Sequence, residues 1–258
     1  MREDLKKYQN KRIGEENYNT FGTLMRIIKY EDAHNIIVEF QDEYKYQKHT
    51  RYLYFKKGEV KNVYDKVFEG VGFLGEGKYH KDGYKIIYRT WTDMIKRCYN
   101  PYYLNKQPTY RDCFVCDEWL NFQNFAKWYE ENYYEVEGES TYLDKDILYK
   151  NNKLYSPNTC VFVTREINNL FTKRQNDRGE YPIGVTKRNN RKRLEVSCNV
   201  LDKRKFLGCF PLDKPFQAFT CYKQFKENYI KQVADKYKNF IPTKLYEAMY
   251  NYQVEIND

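Results

Sequence analysis

The chain has 258 residues, a formal net charge of +9 and 18% aromatic residues, including 28 Tyr and 16 Phe. Disordered segments are poor in rings, so this composition excludes a disordered chain and implies cores built largely from aromatics. No window approaches 18 consecutive apolar residues, which excludes a membrane-spanning helix, and the length favours two or three domains.

The opening MREDLKKYQNKRIGEEN lacks the apolar run of a signal peptide, and seven Cys is an odd count. Both point to reduced thiols in a cytosol. Residues 1–12 read as a polar tail. TLMRIIKY, NIIVEFQD and RYLYFKKG are short runs rich in β-branched and aromatic residues, separated by polar turns. They predict strands, and a β-rich domain over residues 1–75. GVGFLGEGKYHKDG holds five Gly in 14 residues, which is turn chemistry at a boundary. Its match to G-x-G-x-x-G lacks the following helix and the βαβ setting that a phosphate site needs.

From Tyr88 the period becomes helical, with Trp91, Met94, Ile95 and Cys98 on one face and Pro101 as the stop. A second helix is predicted from Asp117 as N-cap, burying Trp119, Leu120, Phe122, Phe125, Trp128 and Tyr129. STYLDKDIL, a turn at NNK, YSPNTCVFV and TREINNLF then give strand, loop, strand and helix. The basic linker TKRQNDRGEYP leads into three short strands and one long amphipathic helix, closed by a short helix capped by Pro242 and Thr243. The fold class is therefore α+β. A β-rich N-terminal domain (1–75) precedes a central ββα-containing module with helices (76–175) and a C-terminal three-stranded sheet plus helix (176–258).

Charge is concentrated in this last domain. Ile183 to Lys205 carries eight basic residues against two acids, most of the excess of the whole chain. On LEVSCNV, strand alternation puts Leu194, Val196, Cys198 and Val200 on one face and Arg193, Glu195, Ser197 and Asn199 on the other. The first face packs on the helix. A basic sheet face suits the major groove of DNA, which admits a β-ribbon. The competing reading is an ordinary solvated basic surface.

The unit at 141–171 resembles the ββα-metal fold of HNH endonucleases. That resemblance implies a divalent ion, Mg²⁺, held by Asp144 and Asn168 against the scissile phosphate, with a base activating water. Lys145 stands where the family has its general-base His, and Asn158 or Thr159 follows Pro157 where the family has Asn. The chain's three His lie elsewhere. A protonated Lys is a poor base, so the resemblance implies a catalytically degenerate core, or a nuclease whose base is Asp146 or Lys145 itself. YRTWTDMIKRCYNPYY, PTYRDCFVCDEWLNFQNFAKWYEENY, IGEENYNTFGTLMRIIKY and GVGFLGEGKY extend the resemblance, over nearly the whole chain, to phage and prophage proteins of HNH-like or homing-endonuclease-like type.

The C-terminal stretch resembles the ethylene-response-factor type of DNA-binding domain through Gly184-Val185, Leu207-Gly208-Cys209-Phe210 and Ala218 to Tyr222. The resemblance implies a sheet in the major groove backed by a helix. Lys187, Arg188, Arg191, Lys192, Arg193, Glu195, Ser197, Asn199, Lys203, Arg204 and Lys205 would then face DNA, Arg and Asn reading bases and hairpin-tip Lys meeting phosphates.

Cys113-x-x-Cys116, flanked by Cys98 and Cys160, has zinc-knuckle spacing. A single CxxC with two partners in core-like positions favours buried thiols over Zn²⁺. Cys198, Cys209 and Cys221 read as packing residues. The expected function is recognition of double-stranded DNA by a phage-type protein in the cytoplasm of a bacterial host. The alternatives are a metal-dependent DNA endonuclease or nickase, and an effector that binds a host protein through its N-terminal β domain; no membrane partner is expected.

Overall fold

A computed structural model of the chain describes residues 11–172, 180–187, 192–201, 203–256 and 258. It is α+β and forms two compact units, Met1–Glu130 and Glu131–Asp258. The division falls inside the segment 76–175.

The first unit opens on an antiparallel meander, β1 (Glu16–Tyr18), β2 (Leu24–Asp32), β3 (Asn35–Phe40) and β4 (Gln47–Thr50), in that spatial order. Met25 and Ile27 are buried, as is Tyr30. A bulge between Ile27 and Lys29 moves the inward parity from odd to even positions, so all three reach the core beside Ile36, Val38 and Phe40. The edge strands β1 and β4 are short and polar, and no apolar pattern announced them.

RYLYFKKG, predicted as a strand, is instead the helix α1 (Tyr52–Lys57). Tyr52 and Phe55, three residues apart, both pack on the sheet's core, a spacing that suits a helix and not a strand. The helix ends at Gly58, whose amide donates to the Tyr54 and Phe55 carbonyls.

The helical half of this unit begins with α2 (Lys85–Tyr99), which buries Trp91, Met94, Ile95 and Cys98 as expected. Pro101 does more than stop it: Asn100 caps α3 (Pro101–Lys106) by accepting from the Tyr103 amide at 2.9 Å, with Pro101 at the first helical position. β5 (Phe114–Val115) follows. The second predicted helix is two, α4 (Asp117–Leu120) and α5 (Phe122–Asn132). Asp117 lies within the first turn, not at the cap, which is Cys116. The break at Asn121 has a cause. The Phe73 amide donates to the Leu120 carbonyl at 2.9 Å, and the Phe122 amide donates to the Phe73 carbonyl at 3.0 Å.

The glycine-rich run wraps the start of α5. Gln123 donates to the carbonyls of Leu74 (3.1 Å) and Tyr79 (3.0 Å) and accepts from the Tyr79 amide (3.1 Å). A Cβ on Gly77 would lie 2.2 Å from the Gln123 Oε1, so close approach explains this glycine.

The second unit contains the antiparallel pair β6 (Thr141–Asp144) and β8 (Val161–Thr164), with β7 (Leu154–Tyr155) between them in the chain, followed by α6 (Arg165–Phe171). Thr164 Oγ1 caps α6 by accepting from the Ile167 amide. Next come β9 (Val185–Lys187), β10 (Arg193–Val200) and β11 (Lys203–Pro211), with β10 central. The long α7 (Pro215–Tyr237) and α8 (Thr243–Tyr250) complete it. Pro242 precedes α8, but no side chain caps that helix.

One core unites these elements. Val161, Val163 and Ile167 of the strand–strand–helix unit cluster with Val185, Leu194, Val196 and Cys198 of the sheet and with Ala218, Tyr222, Ile230, Val233 and Tyr237 of α7. Polar bonds fix α7 along its length. Tyr229 Oη accepts from the Leu201 amide, and the Glu227 carboxylate accepts from the Val254 amide. Tyr237 Oη donates towards Glu139 and Glu166. Burial first, and then these two carboxylates, push the Tyr237 phenol up to about 12.

Gly184 lets β9 close on this helix. Its φ is +79°, and an added Cβ would lie 2.0 Å from the Tyr222 ring. Gly184→Ala is expected to destabilise the second unit by roughly 2 kcal/mol or more, from left-handed strain plus overpacking. Chemical denaturation followed by near-UV circular dichroism would measure this, and an unchanged midpoint would contradict the packing described.

Candidate nucleic-acid interface

Cross-strand register sorts the basic residues of the C-terminal sheet onto two faces. Thr186 pairs with Glu195, Val185 with Val196 and Lys187 with Leu194. On the other side Glu195 pairs with Cys209, Leu194 with Phe210 and Arg193 with Pro211. Directly paired residues share a face. A bulge between Val196 and Ser197 then resets the partners, so that Ser197 faces Phe206, Cys198 faces Lys205, Asn199 faces Arg204 and Val200 faces Lys203.

The face turned away from α7 therefore holds Thr186, Arg193, Glu195, Ser197, Asn199, Arg204, Phe206 and Cys209. Arg193, Asn199 and Arg204 are exposed there and Ser197 is half-buried. Three residues expected to face DNA register with the helix side instead: Lys187 beside Leu194, Lys203 beside Val200, and Lys205 beside Cys198. The Lys205 ammonium lies 4.8 Å from the centre of the Phe225 ring on α7. Lys192 is exposed just before β10, and Arg188 and Arg191 lie outside the described residues.

Two further expectations are corrected. Glu195 has the outward parity but is only 4% exposed, because it sits midway along the central strand between Thr186 and Cys209, where neighbours limit access. Cys209 is exposed and not a packing residue, since it shares the face of Glu195. Cys198 is buried, with its thiol pushed up mainly by that burial, and Cys221 is half-buried.

Arg204 is the best-defined group on the outer face. Its Nε donates to Ser197 Oγ at 2.8 Å and its Nη2 donates to Thr186 Oγ1 at 3.3 Å. These bonds tie the Arg204 guanidinium on β11 to β10 and β9. Both acceptors are neutral hydroxyls, and among the described residues no carboxylate forms an ion pair with Arg204. A guanidinium carries five donors, so this cradle leaves donors for a phosphate or a base edge. Phe206 stands beside it, 61% exposed. Phe206, two residues from Arg204 on the same strand, shares its face by simple alternation, a signal the sequence carries beside the basic run.

The end of β6 presents a different chemistry. Asp144 Oδ1 accepts from the amides of Asp146 and Ile147, both at 2.8 Å, which closes a tight turn. Burial pushes the Asp144 carboxyl above the usual carboxylate range, against the pull of those two amides. Lys145 is 6% exposed. Its Nζ donates to Asp146 Oδ1 at 2.7 Å and to the Asn152 carbonyl at 3.0 Å, beside the Tyr155 ring. Asn152 in turn donates to the carbonyls of Lys145 and Leu154.

Asp144, Lys145 and Asp146 are thus brought together, whereas Asn168 stands on α6 and no hydrogen bond joins it to them among the described residues. At this turn the Asp146 carboxylate is bound to the Lys145 ammonium and one oxygen of Asp144 serves two amides, which leaves the second oxygen of Asp144, with Asn168, as the groups that would hold a divalent ion.

The cysteines proposed for zinc are also separated in role. Cys98 and Cys113 are buried and Cys116 caps α4 in the first unit, while Cys160 is buried in the second. Burial pushes the Cys116 thiol up and the Cys160 thiol up to about 12. Among the described residues no three His, Cys, Asp or Glu side chains group as metal ligands.

A raised carboxyl gives Asp144 a measurable signature. Its folded value lies above the unfolded one, so its ionisation costs stability as pH rises through the carboxylate range. Asp144→Asn keeps the acceptor for both amides and removes that cost. The variant is expected to be more stable than the parent at pH 7, with the advantage vanishing below pH ~4. Urea midpoints across that range would show it, and a variant less stable at pH 7 would contradict the assignment. No protein-family model, curated protein or solved structure matches this chain.

Proposed function

We propose that the chain binds double-stranded DNA through the outer face of its C-terminal sheet. The observation that carries this reading is Arg204, laid across three strands by Ser197 and Thr186 and forming no ion pair with a carboxylate among the described residues. Around it Arg193 and Asn199 offer donors to base edges or phosphates, and Phe206 offers an apolar contact of the kind a thymine methyl takes. The opposite face is filled by α7, so a ligand of this sheet meets the outer face.

The chemistry at β6 supports binding without cleavage. Lys145 occupies the place of the base, and its Nζ is engaged by Asp146 and Asn152. The strand–strand–helix unit then serves as a scaffold packed on α7.

Register makes the test sharp, because it separates two adjacent cations. Arg204→Ala is expected to weaken duplex binding by about 1–3 kcal/mol. Lys205→Ala, whose ammonium lies over Phe225, should change it much less. Affinity of the parent should fall with salt at a slope of about −0.9 per phosphate neutralised. Fluorescence anisotropy on duplexes selected from a random pool measures all three quantities. Salt-independent binding, or equal losses from both variants, would refute the proposed face. Metal-dependent nicking that is lost in Asp144→Asn would refute the non-cleaving part.

A further inference from the structure

The β10–β11 hairpin carries an anomaly at its tip. Leu201 has a φ of +54°, the left-handed region. Tight hairpin turns with positive φ favour Asn, Asp and Gly, which bear that conformation with little strain. A leucine there is strained, and its side chain is 68% exposed. Two unfavourable features coincide on one residue that a polar substitution would relieve. Strain of this kind, held in place by the surrounding structure, marks functional positions. Here the holding group is Tyr229 of α7, which accepts from the Leu201 amide at 3.3 Å.

The neighbourhood identifies a ligand chemistry. Leu201 stands at the end of the sheet whose outer face carries Asn199 and Arg204. An exposed apolar side chain at the end of a β-ribbon whose open face carries an arginine matches the physical requirement for entering a base stack. The guanidinium holds a phosphate, and the apolar group replaces stacking between two base pairs.

We propose that Leu201 is a wedge that inserts between adjacent base pairs at the edge of the site contacted by the sheet and bends the duplex there. This rests on the duplex-binding reading. The wedge requires that Leu201 be held in place, and its amide donates to Tyr229 of α7 while β10 packs on the same helix.

The test uses the full chain and duplexes it selects from a random pool, labelled at both ends for energy transfer and, step by step, with 2-aminopurine. The parent should bend the duplex by roughly 20–90° and raise 2-aminopurine emission at one step. Leu201→Asn should fold at least as stably as the parent, retain salt-dependent binding, and lose both the bend and the emission. Leu201→Met should keep them. Binding by the parent with neither bend nor unstacking would overturn the wedge while leaving the sheet reading intact, as would an unchanged bend in Leu201→Asn. Failure to retain any duplex at low salt would overturn the sheet reading itself.

Discussion

The second unit depends on the burial of one helix. α7 is 23 residues long, and its inner surface receives the three-stranded sheet, the β6–β8 pair and α6 in a single apolar cluster. No three-stranded sheet of this size can bury a face alone, and a two-stranded pair is marginal in water. The helix therefore provides what both lack. Its polar bonds add direction to that burial, since Tyr229 is bound to the hairpin tip, Glu227 to the C-terminal segment and Tyr237 to the carboxylates of Glu139 and Glu166. With one face committed to α7, the sheet has only one face to offer a ligand.

That commitment turns a charge cluster into a surface with a pattern. Lys203, Arg204 and Lys205 are consecutive, but only Arg204 lies on the open face. The two lysines register with the helix side, and the Lys205 ammonium meets the Phe225 ring of α7. The remaining arginine is fixed by hydroxyls. A donor array that is already oriented loses less side-chain freedom when a ligand arrives, so more of the gross interaction survives as affinity.

Much of this architecture was legible before any coordinates. Helical period placed Trp91, Met94, Ile95 and Cys98 in a core, and strand alternation placed Leu194, Val196 and Cys198 against a helix. What escaped was of three kinds. Polar edge strands such as Gln47–Thr50 carry no apolar pattern and form because β3 offers unpaired backbone groups. RYLYFKKG was aromatic enough to pass for a strand, although the partners of Tyr52 and Phe55 lie on one side. Bulges defeated simple alternation twice, at Ile27–Lys29 and at Val196–Ser197, and the second changed which side Cys209 occupies. A bulge adds one residue to one strand, and nothing in that strand alone announces it. At the end of β6, the sequence placed Asp144, Lys145 and Asp146 together. Only the folded chain shows the ammonium spending itself on Asp146 and Asn152.

The shared core has a consequence for how this protein can evolve. Structural modules can be exchanged when each folds by itself and a flexible linker joins them. Here residues 141–171 and the sheet that follows bury their apolar faces on the same helix. Neither can be cut out as a cassette without exposing the other's core. Recombination within this unit would therefore be selected against at the level of folding. Change would accumulate residue by residue on the open face and at the hairpin tip, where neither core is touched.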